Sequence, residues 1–127
     1  MRHLLLLLGS LCLMTAMTPS AANADDLKID PENTIYMDVP YGRVVIKLMP
    51  DVAPKHVERI KTLTREGFYN GIVFHRVIDG FMAQTGDPTG TGMGGSKLPN
   101  LPAEFNSTNF GRGTVGMARS QDPNSAN

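Results

Sequence analysis

The sequence is poor in cysteine, in aromatic residues and in net charge. Its only cysteine is Cys12, it contains no tryptophan, and 12 lysines and arginines balance 12 aspartates and glutamates. A neutral chain lacks the basic surface that attracts nucleic acids or anionic membranes, so we expect neither as a partner. Because Cys12 lies in an apolar N-terminal run, the rest of the chain has no residue for disulfides, thiol catalysis or cysteine-ligated metals.

The first 24 residues have the pattern of an export signal. A short basic start at residues 1–3 precedes an almost continuous apolar run at residues 4–17. The small residues Ala22 and Ala24 follow at the two positions that a signal peptidase reads. The sequence therefore predicts a signal peptide at residues 1–24.

After cleavage we expect the chain to act in the periplasm or outside the cell, free of the membrane. The exported part would be residues 25–127, and its lack of cysteine fits a bacterial periplasm. An N-terminal membrane anchor is the alternative, although the apolar run is shorter than the ~20 residues of a spanning helix. A lipid anchor on Cys12 is not expected, because Leu11 precedes it where a small residue would be needed.

Short strands and many turns are expected along residues 25–127. The whole sequence has 13 glycines and nine prolines, which favour turns. Runs of β-branched residues predict strands at residues 34–38, 43–48 and 113–118. The first two runs flank turn residues and read as an opening hairpin.

One helix is predicted between Asp51 and Gly67. Val57, Ile60 and Leu63 recur at helical spacing and are expected to face the core. Asp51 is the expected N-cap, and Gly67 is the expected stop. The charged residues of this stretch are expected on its solvated face: Lys55, Glu58, Arg59, Lys61 and Arg65.

The most informative stretch is residues 74–87, Phe-His-Arg-Val-Ile-Asp-Gly-Phe-Met-Ala-Gln-Thr-Gly-Asp. The Asp79-Gly80 turn signal separates two predicted short strands. This string resembles the core motif of the cyclophilins, the cyclosporin-binding peptidyl-prolyl cis-trans isomerases. It carries F-H-R, a short turn and G-F-M-x-Q-x-G-D at every anchored position of that motif. The preceding hairpin, helix and Phe-Tyr-Asn-Gly turn at residues 68–71 also come in the order of the family.

The resemblance implies a mostly β fold, a cyclophilin-like closed antiparallel β-barrel with capping helices. It extends over residues 25–127, which correspond to about the N-terminal two thirds of a single cyclophilin-like domain. The strands, second helix and tryptophan-bearing loop that follow in the family have no counterpart in this sequence. We therefore expect a C-terminally truncated chain whose barrel is incomplete, with inactivity and poor solubility if it is isolated.

The chemistry implied by the resemblance needs no nucleophile, metal or cofactor, and none is expected. An X-Pro bond isomerises slowly because its C–N bond has partial double-bond character, with a barrier of about 18–20 kcal/mol. A cation that donates hydrogen bonds near the prolyl nitrogen or carbonyl favours the twisted state. Arg76 is the candidate catalytic residue, since its planar fork stays charged at any working pH. A surface arginine without a catalytic role is the alternative.

A substrate groove around this arginine is also implied. Phe81 and Met82 would form the floor of a proline pocket, with ordinary core packing as the alternative. Gln84 would bond the substrate backbone, and a solvated strand residue is the alternative. Gly92, in the glycine-rich stretch after the motif, best matches the glycine that lines the groove.

A second substrate-binding segment is implied at Ala118, Arg119 and Ser120. In the family this segment holds the substrate backbone, but Arg119 and Ser120 stand where asparagine and alanine are usual. His75 directly precedes Arg76 in the motif. Strand alternation points it to the face opposite Arg76, so a structural role is expected.

The expected function is prolyl isomerisation of unfolded or extended polypeptides by a monomer that assists the folding of exported proteins. Proline-containing segments would be its partners, with cyclosporin-like ligands as a second class. The alternative is a non-catalytic module or holdase that grips proline-containing segments without turning them over. An inactive fragment is the third interpretation for residues 25–127 alone.

Overall fold

The computed structural model describes residues 29–127, and the predicted signal peptide at residues 1–24 lies outside the described residues. No helix of the described part is long and apolar enough to cross a membrane. A 3-10 turn opens the described chain, and two hairpins flank one helix. The elements are the 3-10 turn Pro31–Asn33, β1 (Thr34–Val39), β2 (Gly42–Lys47), α1 (Pro54–Arg65), β3 (Arg76–Ile78) and β4 (Met82–Gln84).

The two hairpins are antiparallel and belong to separate sheets. β1 and β2 pair in register from Thr34 opposite Lys47 to Val39 opposite Gly42. β3 and β4 pair around a three-residue turn that contains the predicted Asp79-Gly80 signal. The two early strands and the hairpin of the motif are thus confirmed to within a residue or two. A closed barrel is not formed within residues 29–127.

The strand predicted at residues 113–118 is wrong. This segment has no strand assignment, and Val115 is 71% exposed. β-branched residues favour an extended chain, but a strand also needs a partner for its backbone groups. No strand of the described part pairs with this segment.

Helix α1 ends as the sequence predicts. Gly67 adopts a φ of 71°, a left-handed conformation that costs glycine little. Its N–H donates to the Thr64 carbonyl at 3.0 Å, and the Phe68 N–H donates to the Leu63 carbonyl at 2.9 Å. These two bonds form a Schellman motif that satisfies the last carbonyls of the helix.

Two predictions about α1 are wrong. The helix begins later than expected, with Ala53 at the N-cap and Pro54 in the first turn, so Asp51 does not cap it. Lys61 does not lie on a solvated face, because it is only 8% exposed. Its Nζ lies 3.0 Å from Oε1 of Glu32, so the alkyl stem is covered while the ammonium reaches a carboxylate.

The fully buried apolar core of the described residues is small. It consists of Val57, Leu63 and Ala126. Ala126 is held by a bridge in which the Leu101 N–H donates to its carbonyl at 2.7 Å. Many large apolar side chains stay exposed, among them Tyr41, Phe81, Met93, Phe105, Phe110 and Val115. The described residues therefore cover only part of their own apolar surface.

Candidate active site

The β3–β4 hairpin brings three of the predicted site residues to one face. Arg76 lies opposite Gln84, and Ile78 lies opposite Met82. Side chains alternate along a strand and opposite partners share a face, so these four project to the same side. The cation, the amide and the soft apolar side chain that the resemblance implies for a substrate groove therefore lie on one face.

The guanidinium of Arg76 is only weakly engaged. Its Nη1 lies 3.5 Å from Oε1 of Gln84, at the outer limit of a hydrogen bond. Arg76 is exposed, and it makes no ion pair with any residue of the described part. Most of its donors are thus free for a carbonyl or amide of a bound peptide.

Phe81 and Met82 differ in their surroundings. Phe81 is 76% exposed in the turn between β3 and β4, where its N–H donates to the Ile78 carbonyl at 3.1 Å. Met82 is half-buried on β4. Ordinary core packing does not describe Phe81, whereas Met82 is partly covered. An apolar floor for a proline ring stays a prediction for both.

His75 is enclosed beside the glycine-rich loop. Neither of its ring nitrogens is accessible, and neither has a hydrogen-bond partner among the described residues. A Cβ placed on Gly92 would lie 3.3 Å from Cδ2 of His75, so the loop backbone packs directly on the ring. An enclosed ring without a proton partner favours a packing role over acid–base chemistry. The role of Gly92 in a substrate groove stays a prediction.

Asp87 is a buried carboxylate that the sequence reasoning did not single out. It is 4% exposed. Oδ2 accepts the backbone N–H of Gly92 at 2.6 Å and that of Thr91 at 3.1 Å. Oδ1 accepts both the backbone N–H and the hydroxyl of Thr89 at 2.7 Å. One side chain thus gathers the loop that follows β4.

The charge of Asp87 is maintained by these bonds. Burial, the largest influence, raises the pKa of Asp87, but hydrogen bonds from Thr89, Gly94 and Gly92 together hold it well below its usual range. The space around the carboxylate is tight, since a Cβ on Gly94 would overlap Oδ1 of Asp87. The signal for this arrangement is an aspartate followed, after Pro88, by alternating threonines and glycines, a composition typical of side-chain-to-backbone turns.

Glu104 is a second carboxylate that sequence reasoning missed, and it caps helix α1 from a distant loop. Its Oε1 accepts the Lys55 N–H at 3.0 Å, and its Oε2 accepts the His56 N–H at 3.1 Å. Nδ1 of His56 lies 2.6 Å from the same Oε2. Because an ionised carboxylate only accepts, this Nδ1 carries the proton. Burial raises the pKa of Glu104, and the bonds from His56 and Lys55 outweigh it and lower the pKa.

Residues 118–120 are exposed, and the polar groups of Arg119 and Ser120 contact nearby residues. Arg119 Nη1 donates to the Ser120 carbonyl at 2.8 Å, and its guanidinium lies 5.9 Å from the ring centroid of Phe105. The N–H and hydroxyl of Ser120 each lie 2.8 Å from Oγ of Ser125. No hydrogen bond of the described part joins Ala118, Arg119 or Ser120 to the face of β3–β4, so their substrate role stays a prediction.

The family follows from a match over most of the chain. The protein-family model described as "Cyclophilin type peptidyl-prolyl cis-trans isomerase/CLD" matches residues 34–127. The chain therefore belongs to the cyclophilin-type peptidyl-prolyl cis-trans isomerase family. The resemblance carried by the motif at residues 74–87 is confirmed.

Curated relatives and a solved structure agree with this assignment. A probable peptidyl-prolyl cis-trans isomerase of Brucella suis biovar 1 is 58% identical over 109 residues, which cover 77% of this chain and 56% of that protein. A putative peptidyl-prolyl cis-trans isomerase of Staphylococcus saprophyticus is 51% identical over 73 residues, or 58% of this chain and 37% of that protein.

The crystal structure of cyclophilin AquaCyp293 from Hirschia baltica superposes with a TM-score of 0.62 at 28% identity. The match covers 77% of this chain and 56% of that one. The described residues thus share the cyclophilin fold over the matched part. The match spans little more than half the length of the Brucella and Hirschia proteins and 37% of the Staphylococcus protein.

Proposed function

We propose that the full-length protein containing this chain is a peptidyl-prolyl cis-trans isomerase that accelerates rotation about X-Pro bonds in unfolded or extended polypeptides. The observation that carries the proposal is the shared face of β3–β4. Arg76 stands there exposed and weakly engaged, opposite Gln84 at 3.5 Å and on the same side as Met82. Membership of the isomerase family supports the same activity.

The proposed mechanism gives one task to each candidate residue of the hairpin and its turn. Phe81 and Met82 hold the proline ring, which frees the X-Pro amide to turn between them and the cation. Arg76 donates hydrogen bonds to the amide as its resonance weakens, which stabilises the twisted state more than the planar one. Gln84 bonds the substrate backbone and keeps the peptide in register. Cyclosporin-like ligands would occupy the same face.

The complete domain is proposed to be a closed antiparallel β-barrel with capping helices. Two observations support it beyond the fold match. β2 pairs only with β1 within the described residues, so its other edge is open. Val44 and Val45 on β2 are 42% and 50% exposed, and further strands of a complete barrel would bury them.

Export is the remaining part of the proposal. The basic start, the apolar run and the small residues Ala22 and Ala24 support cleavage after residue 24. The mature protein would then act as a monomer in the periplasm, or outside the cell, on the folding of exported proteins. N-terminal sequencing of the exported protein tests this, with Asp25 as the expected first residue. A retained Met1 in the membrane fraction would favour the anchor.

The test of the activity compares two arginines in the full-length protein. Arg76→Ala is expected to lower kcat/KM on an X-Pro test peptide by about 100-fold, since it removes the cation that stabilises the twisted amide. Arg112→Ala is the matched control, because Arg112 is exposed and makes no hydrogen bond or ion pair in the described part. Unchanged kcat/KM in Arg76→Ala would remove Arg76 from the mechanism. Peptide binding without acceleration by the unaltered protein would favour a holdase.

A further inference from the structure

The segment just before β3 is packed from two directions. A Cβ on Gly90 would lie 3.2 Å from Cγ2 of Val73, and one on Gly92 would lie 3.3 Å from Cδ2 of His75. The backbone of the glycine-rich loop therefore packs directly against the side chains of Val73 and His75. From the other side, the hydroxyl of Thr85, the first residue after β4, donates to the Val73 carbonyl at 2.9 Å. The residue after His75 is Arg76, which is the first residue of β3.

The shape of this loop depends on a single carboxylate. Asp87 accepts the backbone N–H groups of Thr89, Thr91 and Gly92, and the shortest of these bonds, at 2.6 Å, is the one to Gly92. Hydrogen bonds to an ionised acceptor are the strong ones, and here the acceptor is buried. The residue held most closely by Asp87 is thus the residue that packs on the ring of His75.

We propose that Asp87 is a positioning residue for the isomerase reaction. Asp87 holds Gly92 against His75 and thereby fixes the backbone position that carries the side chain of Arg76. The link has three steps. The carboxylate of Asp87 binds the Gly92 N–H, the backbone of Gly92 packs on the His75 ring, and a peptide bond joins His75 to Arg76. Its effect on turnover rests on the proposed function. A shift of the guanidinium by a fraction of an ångström would weaken its hydrogen bonds to the twisted amide.

The test compares two aspartates in the full-length protein. Asp87→Asn keeps the shape of the side chain but replaces an acceptor oxygen with a donor that faces backbone N–H groups. Asp79→Asn makes the same change in the exposed β3–β4 turn, where the side chain has no hydrogen bond in the described part. For Asp87→Asn we expect kcat to fall about tenfold with KM within about twofold, at a temperature where both variants are folded. Asp79→Asn should change neither.

Amide NMR signals give a readout that does not depend on activity. In Asp87→Asn the signals of residues 73–76 should shift together with those of residues 89–92, whereas Asp79→Asn should leave both groups in place. If the loop signals move while residues 73–76 and kcat do not, Asp87 serves only its own loop and the proposal is overturned. Unshifted loop signals would overturn it as well.

A milder variant covers the case in which Asp87→Asn does not fold. Thr89→Val removes the hydroxyl that lies 2.7 and 2.9 Å from the two carboxylate oxygens and keeps the shape of the side chain. The same shifts and a smaller fall in kcat are expected, and loop shifts without a change at residues 73–76 overturn the link. An inactive unaltered protein would instead refute the proposed function, and the signals of residues 73–76 would still decide the positioning contact.

Discussion

The β3–β4 hairpin leaves Arg76 open to solvent, whereas the loop that follows encloses Asp87. On the hairpin, Arg76 and Gln84 meet only at 3.5 Å. In the loop, Asp87 is 4% exposed and accepts a hydrogen bond as short as 2.6 Å from Gly92. A buried polar group must be satisfied within the protein, while an exposed one can exchange water for a ligand. The exposed Arg76 is therefore free to bind a substrate, whereas the buried Asp87 holds the backbone of its own loop.

The largest expected effect comes from disturbing the enclosed loop. In Gly94→Ala the new Cβ would overlap Oδ1 of Asp87 and lie 2.9 Å from Cγ2 of Thr89. The carboxylate would have to move away from the backbone N–H groups that it accepts. We expect the free energy of unfolding to fall by about 3 kcal/mol in urea denaturation of the full-length protein. Gly111→Ala is the control, because nothing lies within 4 Å of that Cβ, and it should cost less than about 0.5 kcal/mol. Equal losses would show that the loop yields without strain.

A smaller loss is expected at the other enclosed carboxylate. Glu104→Gln keeps the shape of the side chain but removes its charge. The substitution therefore weakens two part-buried hydrogen bonds, one from the N–H and one from Nδ1 of His56. We expect about 2 kcal/mol of destabilisation by urea denaturation. Glu66→Gln is the matched control at the other end of the same helix, where the side chain is exposed and makes no hydrogen bond in the described part. A loss no larger than that of the control would mean that Glu104 does not cap the helix.

The pH dependence of this cap follows from the sign of its pKa shift. The pKa of Glu104 lies below its ordinary value of 4.5 in the folded protein, so folding is favoured while the carboxylate is ionised. Its contribution is complete above pH 4.5 and is lost as the pH falls through the lowered folded pKa. The stability difference between the unaltered protein and Glu104→Gln should therefore shrink below pH 4.5. A constant difference down to acid unfolding would contradict the assignment.

The parts of the fold that the sequence predicts have local causes. Gly67 ends α1 through its own φ and through bonds to neighbouring carbonyls, all within one turn. The cap could not be predicted in this way, because Glu104 lies 48 residues from His56, whereas Asp51 is merely the nearest acid in the sequence. The ammonium of Lys61 likewise finds a carboxylate 29 residues away, which turns an expected surface lysine into a buried one.

The candidate site follows the same division. Arg76, Met82 and Gln84 occur within one short string, and a hairpin turn suffices to bring them to one face. The role of Asp87, in the same string, depends on loop amides whose direction is set only when the loop has folded. The segment at residues 118–120 shows no hydrogen bond to that face within the described residues, so its part in the site stays a prediction.

An intermediate case between enclosed and open side chains is Lys61, whose stem is covered and whose ammonium reaches the exposed Glu32. Lys61→Met keeps the volume of the stem and removes the charge. We expect a change in the free energy of unfolding of less than about 1 kcal/mol, since an apolar isostere commonly replaces a part-buried ion pair without loss. Lys61→Ala, which removes the packed stem, should cost more. A larger loss for Met than for Ala would show that the ion pair outweighs the packing.

The smallest effect on stability is expected at the residue with the largest proposed effect on turnover. Arg76 is exposed, and within residues 29–127 its side chain makes one hydrogen bond, to Gln84, at the limit of length. Arg76→Ala should therefore change the free energy of unfolding by less than about 0.5 kcal/mol while kcat/KM falls. Urea denaturation and peptide kinetics on the same preparation check both halves. If Arg76→Ala lost as much stability as Glu104→Gln, its guanidinium would be holding the fold, and the open face of β3–β4 would no longer differ from the enclosed loop.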